Sequence, residues 1–153
     1  MKMIFEHTIL PWVGKTGKLL GCFINDRFQE NEIPLTREQW VLLIKLSGLE
    51  GVPQHDLAYI TERDKTSLTR LIQTMEKKGF VKRKAAKNDR RVNLVFMTEK
   101  GNEIYQKSLP VMELVIELLQ KNISEEEIVT TIKTLQKLQT NIKEFNQTNN
   151  EKV

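Results

Sequence analysis

A mainly α-helical fold carrying one small β-hairpin is predicted by three features of this 153-residue sequence. Helix start and stop signals recur along the chain. A short helix, a brief turn and a capped helix follow one another at its centre. Directly after Gly79 the apolar period changes from helical to alternating.

The elements follow in order. A first helix is expected from near Pro11 to about Glu30, with Leu19, Leu20, Phe23, Ile24 and Phe28 as its apolar positions. Thr36 opens a second helix, with Gln39 completing a capping box and Leu35 and Trp40 placed as the hydrophobic staple around it. That helix stops at Gly48 or Gly51. Pro53 suits the first position of a short third helix to about Ile60. Asp64 caps a fourth helix to about Lys78, in which Leu68, Leu71, Ile72 and Met75 form one apolar stripe and Gly79 is the left-handed stop. Two strands are expected around Val81–Ala85 and Val92–Met97, joined by the loop Ala86–Arg91. Thr98 caps a helix to about Lys121, with a kink expected at Pro110. Ser124 and Glu127 form a second capping box, stapled by Ile123 and Ile128. The helix that follows repeats Ile128, Ile132, Leu135, Leu138, Ile142 and Phe145, a seam suited to another helix. Gln147–Val153 is expected to fray.

Composition bounds the function. At 39% apolar and 29% charged, the chain reads as one globular domain with its own core. No run approaches the roughly eighteen apolar residues of a membrane span, and the early lysines Lys15 and Lys18 argue against a secretory signal. Cys22 is the single cysteine, so no intrachain disulfide forms, and a cytoplasmic location fits. The net charge is +4, but it is concentrated. Residues 77–91 hold eight basic residues and one acid, a local +7; the other 16 basic and 19 acidic residues leave −3. A local polyanion contact explains that pattern. A solvated charge run also produces it.

The central order resembles a winged helix-turn-helix. The third and fourth helices are separated by about three residues, Thr61–Arg63, the length of such a turn, and Ala58 is small enough for a close helix crossing. On the fourth helix Thr66, Thr69, Arg70 and Gln73 share the face away from the apolar stripe. Such hydroxyl, amide and guanidinium groups suit base edges and phosphates in a major groove, although a generic polar face uses the same residues. The hairpin loop Ala86-Lys87-Asn88-Asp89-Arg90-Arg91 puts two arginines where they can reach a narrow minor groove or clamp phosphates. Asp89 is read as orienting Arg91 or Arg70 through a salt bridge, with a simple turn-forming role as the alternative.

The run from Asp64 to Leu71 (DKTSLTRL), then Glu76 to Val81 (EKKGFV), Asp89-Arg90-Arg91 and Met97 to Gly101 (MTEKG) resembles the MarR (multiple antibiotic resistance regulator) family in order and spacing. The resemblance covers nearly the whole chain. It implies a homodimeric, sequence-specific regulator of transcription, a repressor on a pseudo-palindromic operator, with residues 36–97 as the DNA-binding lobe and residues 1–32 and 98–147 as dimerisation helices. It implies that the fourth helix reads the major groove and the wing tip the minor groove, with Arg70 and Arg91 matching the family's DNA-contacting arginines. Together with the polar face and basic loop above, the expected double-stranded DNA contacts are Lys65, Thr66, Ser67, Thr69, Arg70, Gln73, Lys87, Arg90 and Arg91. Glu62 departs from the family pattern by replacing a common turn glycine, and it is expected to point away or pair with Arg63. The family also implies relief by a small aromatic or phenolic effector, for which Trp12, Phe23, Trp40 and Tyr59 are candidate walls; ordinary core packing explains the same residues. Cys22 is expected to be a buried structural thiol rather than a redox sensor.

Two other classes compete. An enzyme is disfavoured: His7 and His55 lack metal-ligand spacing, no phosphate loop or nucleophile elbow is found, and Glu125–Glu127 suit a helix N-terminus. No cofactor or metal is implied. A winged-helix protein-interaction module without DNA binding would have lost its arginines, whereas Arg70, Arg90 and Arg91 are present.

Overall fold

A computed structural model describes residues 5–61 and 64–150, apart from the side chains of residues 59, 60 and 148–150. The element order is α1 (Ile9–Glu30), α2 (Arg37–Leu46), β1 (Val52–Pro53), α3 (Gln54–Ile60), α4 (Lys65–Lys77), β2 (Val81–Ala85), β3 (Asn93–Met97), α5 (Glu99–Leu119) and α6 (Glu125–Asn150), with a 3₁₀ turn at Phe5–His7 before α1. Met1–Val115 form one compact unit and Ile116–Val153 another. Among the described residues no helix is long and apolar enough to cross a membrane.

The capping chemistry takes the expected form. The Thr36 hydroxyl accepts from the Gln39 backbone N–H and the Gln39 side chain accepts from the Thr36 N–H, at 3.3 and 3.2 Å, while Leu35 is buried below. Asp64 accepts from the Ser67 N–H at 2.9 Å. The Thr98 hydroxyl accepts from the Gly101 N–H and donates to the Gly79 carbonyl, joining the end of α4 to the start of α5. At α6, Glu127 accepts from both the Ser124 N–H and its hydroxyl, which lowers the Glu127 pKa.

One core holds the first unit together. Phe28 of α1, Leu42 and Leu43 of α2, Leu57 of α3, Ile72 and Met75 of α4, and Val95 of β3 are fully buried in it. Each such aliphatic or aromatic side chain contributes about 1.5–3 kcal/mol relative to exposure. Leu68, Phe80, Val81 and Val115 belong to the same cluster, and Leu71 packs partly against it.

Several expectations are corrected. α1 begins at Ile9 rather than near Pro11, because Pro11 falls in the first turn, where its missing N–H has no acceptor to lose. Pro53 does not open α3 but ends β1, a strand not foreseen. Val52 pairs with Val95 and Pro53 with Leu94, giving a three-stranded antiparallel sheet of order β1-β3-β2. Proline is tolerated there because β1 is an edge strand. Gly48 follows the α2 cap, whereas Gly51, at φ +88°, lets the Phe96 ring approach so closely that a Cβ would lie 2.5 Å from it. α5 ends at Leu119 rather than near Lys121, and Asn122 at φ +62° turns the chain towards α6. α6 is helical to Asn150, past Gln147 where the tail is expected to begin, and residues 151–153 of that tail lie outside the described residues. Cys22 is exposed, not buried. It precedes the buried Ile24 by two residues, about 200° around the helix, and so lies on the opposite face.

Gly101 is a packing constraint. A Cβ there would overlap the Phe80 carbonyl oxygen, which is held in place by the Thr98 N–H at 3.0 Å. Gly101→Ala is expected to cost about 1–3 kcal/mol, read as a lower urea midpoint at unchanged slope. Gly17→Ala, at a helical position with open space around it, is expected to stabilise by up to about 1 kcal/mol in the same assay.

Candidate nucleic-acid interface

Burial of Leu68, Ile72 and Met75 decides which side of α4 faces outward. Lys65, Thr66, Arg70 and Gln73 are exposed, and Ser67 and Thr69 are half-buried. Lys65, Thr66, Thr69, Arg70 and Gln73 line one shallow depression of about 350 Å³ along the helix. The shared face expected from helical spacing is therefore present, but its members are not equivalent. The Thr69 hydroxyl donates to the Lys65 carbonyl at 2.7 Å and accepts from Gln54 Nε2 at 3.0 Å, so it is already engaged.

The hairpin carries the second cationic surface. β2 and β3 pair antiparallel from Val81↔Met97 to Ala85↔Asn93, and the Ala86 N–H to Val92 carbonyl bond closes the loop at 2.8 Å. Lys87, Arg90 and Arg91 are exposed at this wing tip. Arg70, Arg90 and Arg91 take part in none of the ion pairs found among the described residues. The salt bridge expected from Asp89 to Arg91 or Arg70 is absent from the same set. Asp89 instead accepts from the Arg91 backbone N–H at 2.9 Å, and its carbonyl accepts from the Val92 N–H at 3.0 Å. A carboxylate two residues before its N–H partner makes an Asx turn. Asp89 thus orients the backbone that carries Arg91, not the guanidinium.

The two surfaces meet in an open notch of about 300 Å³. Lys65 and Thr69 of α4, Gln54 of α3, Arg83 of β2, and Arg91 and Asn93 of the wing are among its lining. Gln54 was not foreseen. Its Nε2 holds Thr69 while its Oε1 is buried without a hydrogen-bond partner among the described residues. The pairing spans fifteen residues across two helices, and no local spacing rule reports it.

Not every cation of the basic run is available to a polyanion. Lys78 Nζ donates to the Pro34 carbonyl and to Gln39 Oε1, at 2.8 and 3.0 Å, and partial burial lowers its pKa. Arg83 is paired with Glu76, Nη2 to Oε2 at 2.7 Å. Glu76 thereby offsets one positive charge of the run, Lys78 is tied to neutral acceptors, and the other cations lie at the wing and along Lys82, Lys84 and Lys77.

The aromatic residues considered for an effector are not gathered together. Trp12 is exposed and donates to the Glu6 carbonyl at 3.2 Å. Phe23 lies under Arg27 at 5.2 Å. Trp40 packs on Phe28, ring centroids 6.4 Å apart, and donates to the buried Ser108 hydroxyl at 2.9 Å. The Tyr59 side chain lies outside the described residues, as do Glu62 and Arg63 and the pairing expected of them. None of the described cavities is lined by Trp12, Phe23 or Trp40.

A capped recognition-type helix leading directly into a three-stranded wing defines a winged helix-turn-helix protein. The MarR family model matches residues 35–92, the segment that spans this architecture. A solved SlyA-like transcription regulator from Listeria monocytogenes is 30% identical, with 88% of this chain and 89% of that chain covered at a TM-score of 0.77. The chain belongs to the MarR family of transcriptional regulators. An HTH-type transcriptional regulator of Bacillus subtilis, YybA, is 28% identical over 99 residues; the match spans 65% of this chain and 65% of that relative's length. A mutant MarR from E. coli, solved in complex with operator DNA, shares the fold at a TM-score of 0.79 and 21% identity, covering 85% of this chain and 92% of that one.

The Asx turn makes a local test possible. Asp89→Ala is expected to speed hydrogen exchange of the Arg91 amide about fivefold to tenfold, the worth of one hydrogen bond of roughly 1 kcal/mol, whereas Asp89→Asn retains the acceptor and exchanges near the wild-type rate.

Proposed function

We propose that this chain binds double-stranded DNA in a sequence-specific way and regulates transcription as a homodimeric repressor on a pseudo-palindromic operator. The observation that carries the reading is the shared notch: Lys65 and Thr69 of α4 and Arg91 of the wing line one concavity, so both cationic surfaces face the same side. In this reading α4 enters the major groove with Thr66, Arg70 and Gln73 towards the base edges. Lys65 and Ser67 meet phosphates, and Lys87, Arg90 and Arg91 meet the adjacent minor groove and backbone. The operator complex of the E. coli relative supports this assignment by its fold. Relief by a small aromatic or phenolic molecule extends the proposal on family membership alone.

Dimerisation rests on exposed apolar surface. On α1, Leu10, Trp12 and Leu19 are 55, 61 and 60% exposed; on α6, Ile132, Ile142 and Phe145 are 50, 53 and 69% exposed. On each helix separately, side chains of this size mark apolar surface that a partner covers, and a second copy of the chain is the proposed cover.

The DNA test is fluorescence anisotropy on a duplex selected from a random pool. Arg70→Ala is expected to weaken binding by about 5-fold to 150-fold and to relax base preference at one position of each half-site. Arg91→Ala is expected to weaken binding and lower the log–log salt slope by about 0.9 or less. An unchanged affinity and slope in both variants would remove the interface. A separate check of assembly is sedimentation at micromolar concentration: the expected species is a dimer reading two half-sites about 34–36 Å apart, and a monomer only would reject it.

A further inference from the structure

We propose that the Glu76–Arg83 pair is a positioning device that sets the wing against the recognition helix, so that α4 and Arg91 engage one duplex together. The proposal rests on the DNA-binding reading above and deepens it.

The geometry is a fork on a fork. Arg83 Nε lies 3.1 Å from both carboxylate oxygens of Glu76, Nη2 lies 2.7 Å from Oε2, and the Arg83 backbone N–H donates to Oε1 at 3.1 Å. Four contacts between two residues hold one relative orientation, as two point charges would not. The side chains are only 27% and 29% exposed, which separates this pair from mobile surface ion pairs.

Its place in the chain explains the effect. Glu76 lies one turn beyond Gln73 and two beyond Thr69, on the helix proposed to read bases. In β2 only Val81 and Arg83 are not exposed, and Lys82, Lys84 and Ala85 point outward. Arg83 is thus the last side chain of the strand to hold α4 before the wing departs. Pairing between β2 and β3 makes the wing stiff within itself but does not set its angle to the helix. Asn88 at the tip is five residues beyond Arg83, about 16 Å of extended chain. A swing of about ten degrees at the pair would move the tip by about 3 Å, enough to lose hydrogen-bond contact with a groove. Arg83 also lines the notch beside Lys65 and Arg91, where Glu76 offsets its charge against theirs.

A double-mutant cycle tests the pair as a positioning element. Glu76→Gln keeps a hydrogen-bond acceptor but loses the charge and the symmetric fork. Arg83→Lys keeps the cation and loses the fork, and it serves where Glu76→Gln does not fold by circular dichroism. Affinity for the selected duplex is measured in wild type, each clamp variant, Arg91→Ala and the combinations. The expected result is that Arg91→Ala weakens the wild type about tenfold but a folded clamp variant by less than about threefold, because an unpositioned wing no longer delivers Arg91. A merely stabilising pair would shift the melting temperature and leave the two effects multiplicative, and multiplicative effects in the folded clamp variant overturn the proposal. Wild-type protein with no duplex preference at any salt overturns the DNA-binding reading, and this inference falls with it.

Discussion

The burial of one stripe of α4 is the constraint on which the interface depends. Leu68, Ile72 and Met75 are committed to the core formed by α1, α2, α3 and the sheet, and a helix with 3.6 residues per turn can then offer only one opposite face. That face carries Lys65, Thr66, Arg70 and Gln73. The helix has no rotational freedom left with which to present other residues. The same core also anchors Phe80, Val81 and Val95, so the sheet and α4 share one foundation.

Charge is then apportioned by packing. A run of eight basic residues reads in sequence as one undivided positive segment. In the fold, Lys78 is drawn back to Pro34 and Gln39, and Arg83 is held by Glu76, while Lys87, Arg90 and Arg91 are carried outward on the wing. Offsetting Arg83 with Glu76 lets Lys65 and Arg91 border the same notch without the full repulsion of a third unpaired cation. Asp89 adds to the same end without meeting a guanidinium, since its bond goes to the Arg91 backbone.

Much of the secondary structure was legible because its causes are local. Thr36 with Gln39, Asp64 with Ser67, and Ser124 with Glu127 are separated by three residues, and the physics of a cap operates within that span. The change of period after Gly79 reported the hairpin for the same reason. What escaped was set at a distance. β1 is two residues long and exists because Val52 and Pro53 meet Val95 and Leu94 some forty positions later. The exposure of Cys22 and the dispersal of Trp12, Phe23 and Trp40 depended on which faces the core claimed.

The sequence by itself determined the order of the long helices and of the hairpin, the residues of the outward face of α4, the basic wing tip and the family resemblance, because caps, periodicity and composition act between near neighbours. Only the tertiary structure decided that Gln54 holds Thr69, that Glu76 takes Arg83, and that Lys65 and Arg91 border one notch. These are contacts between elements, and their partners are selected by how the buried faces dock, a choice that no spacing along the chain records.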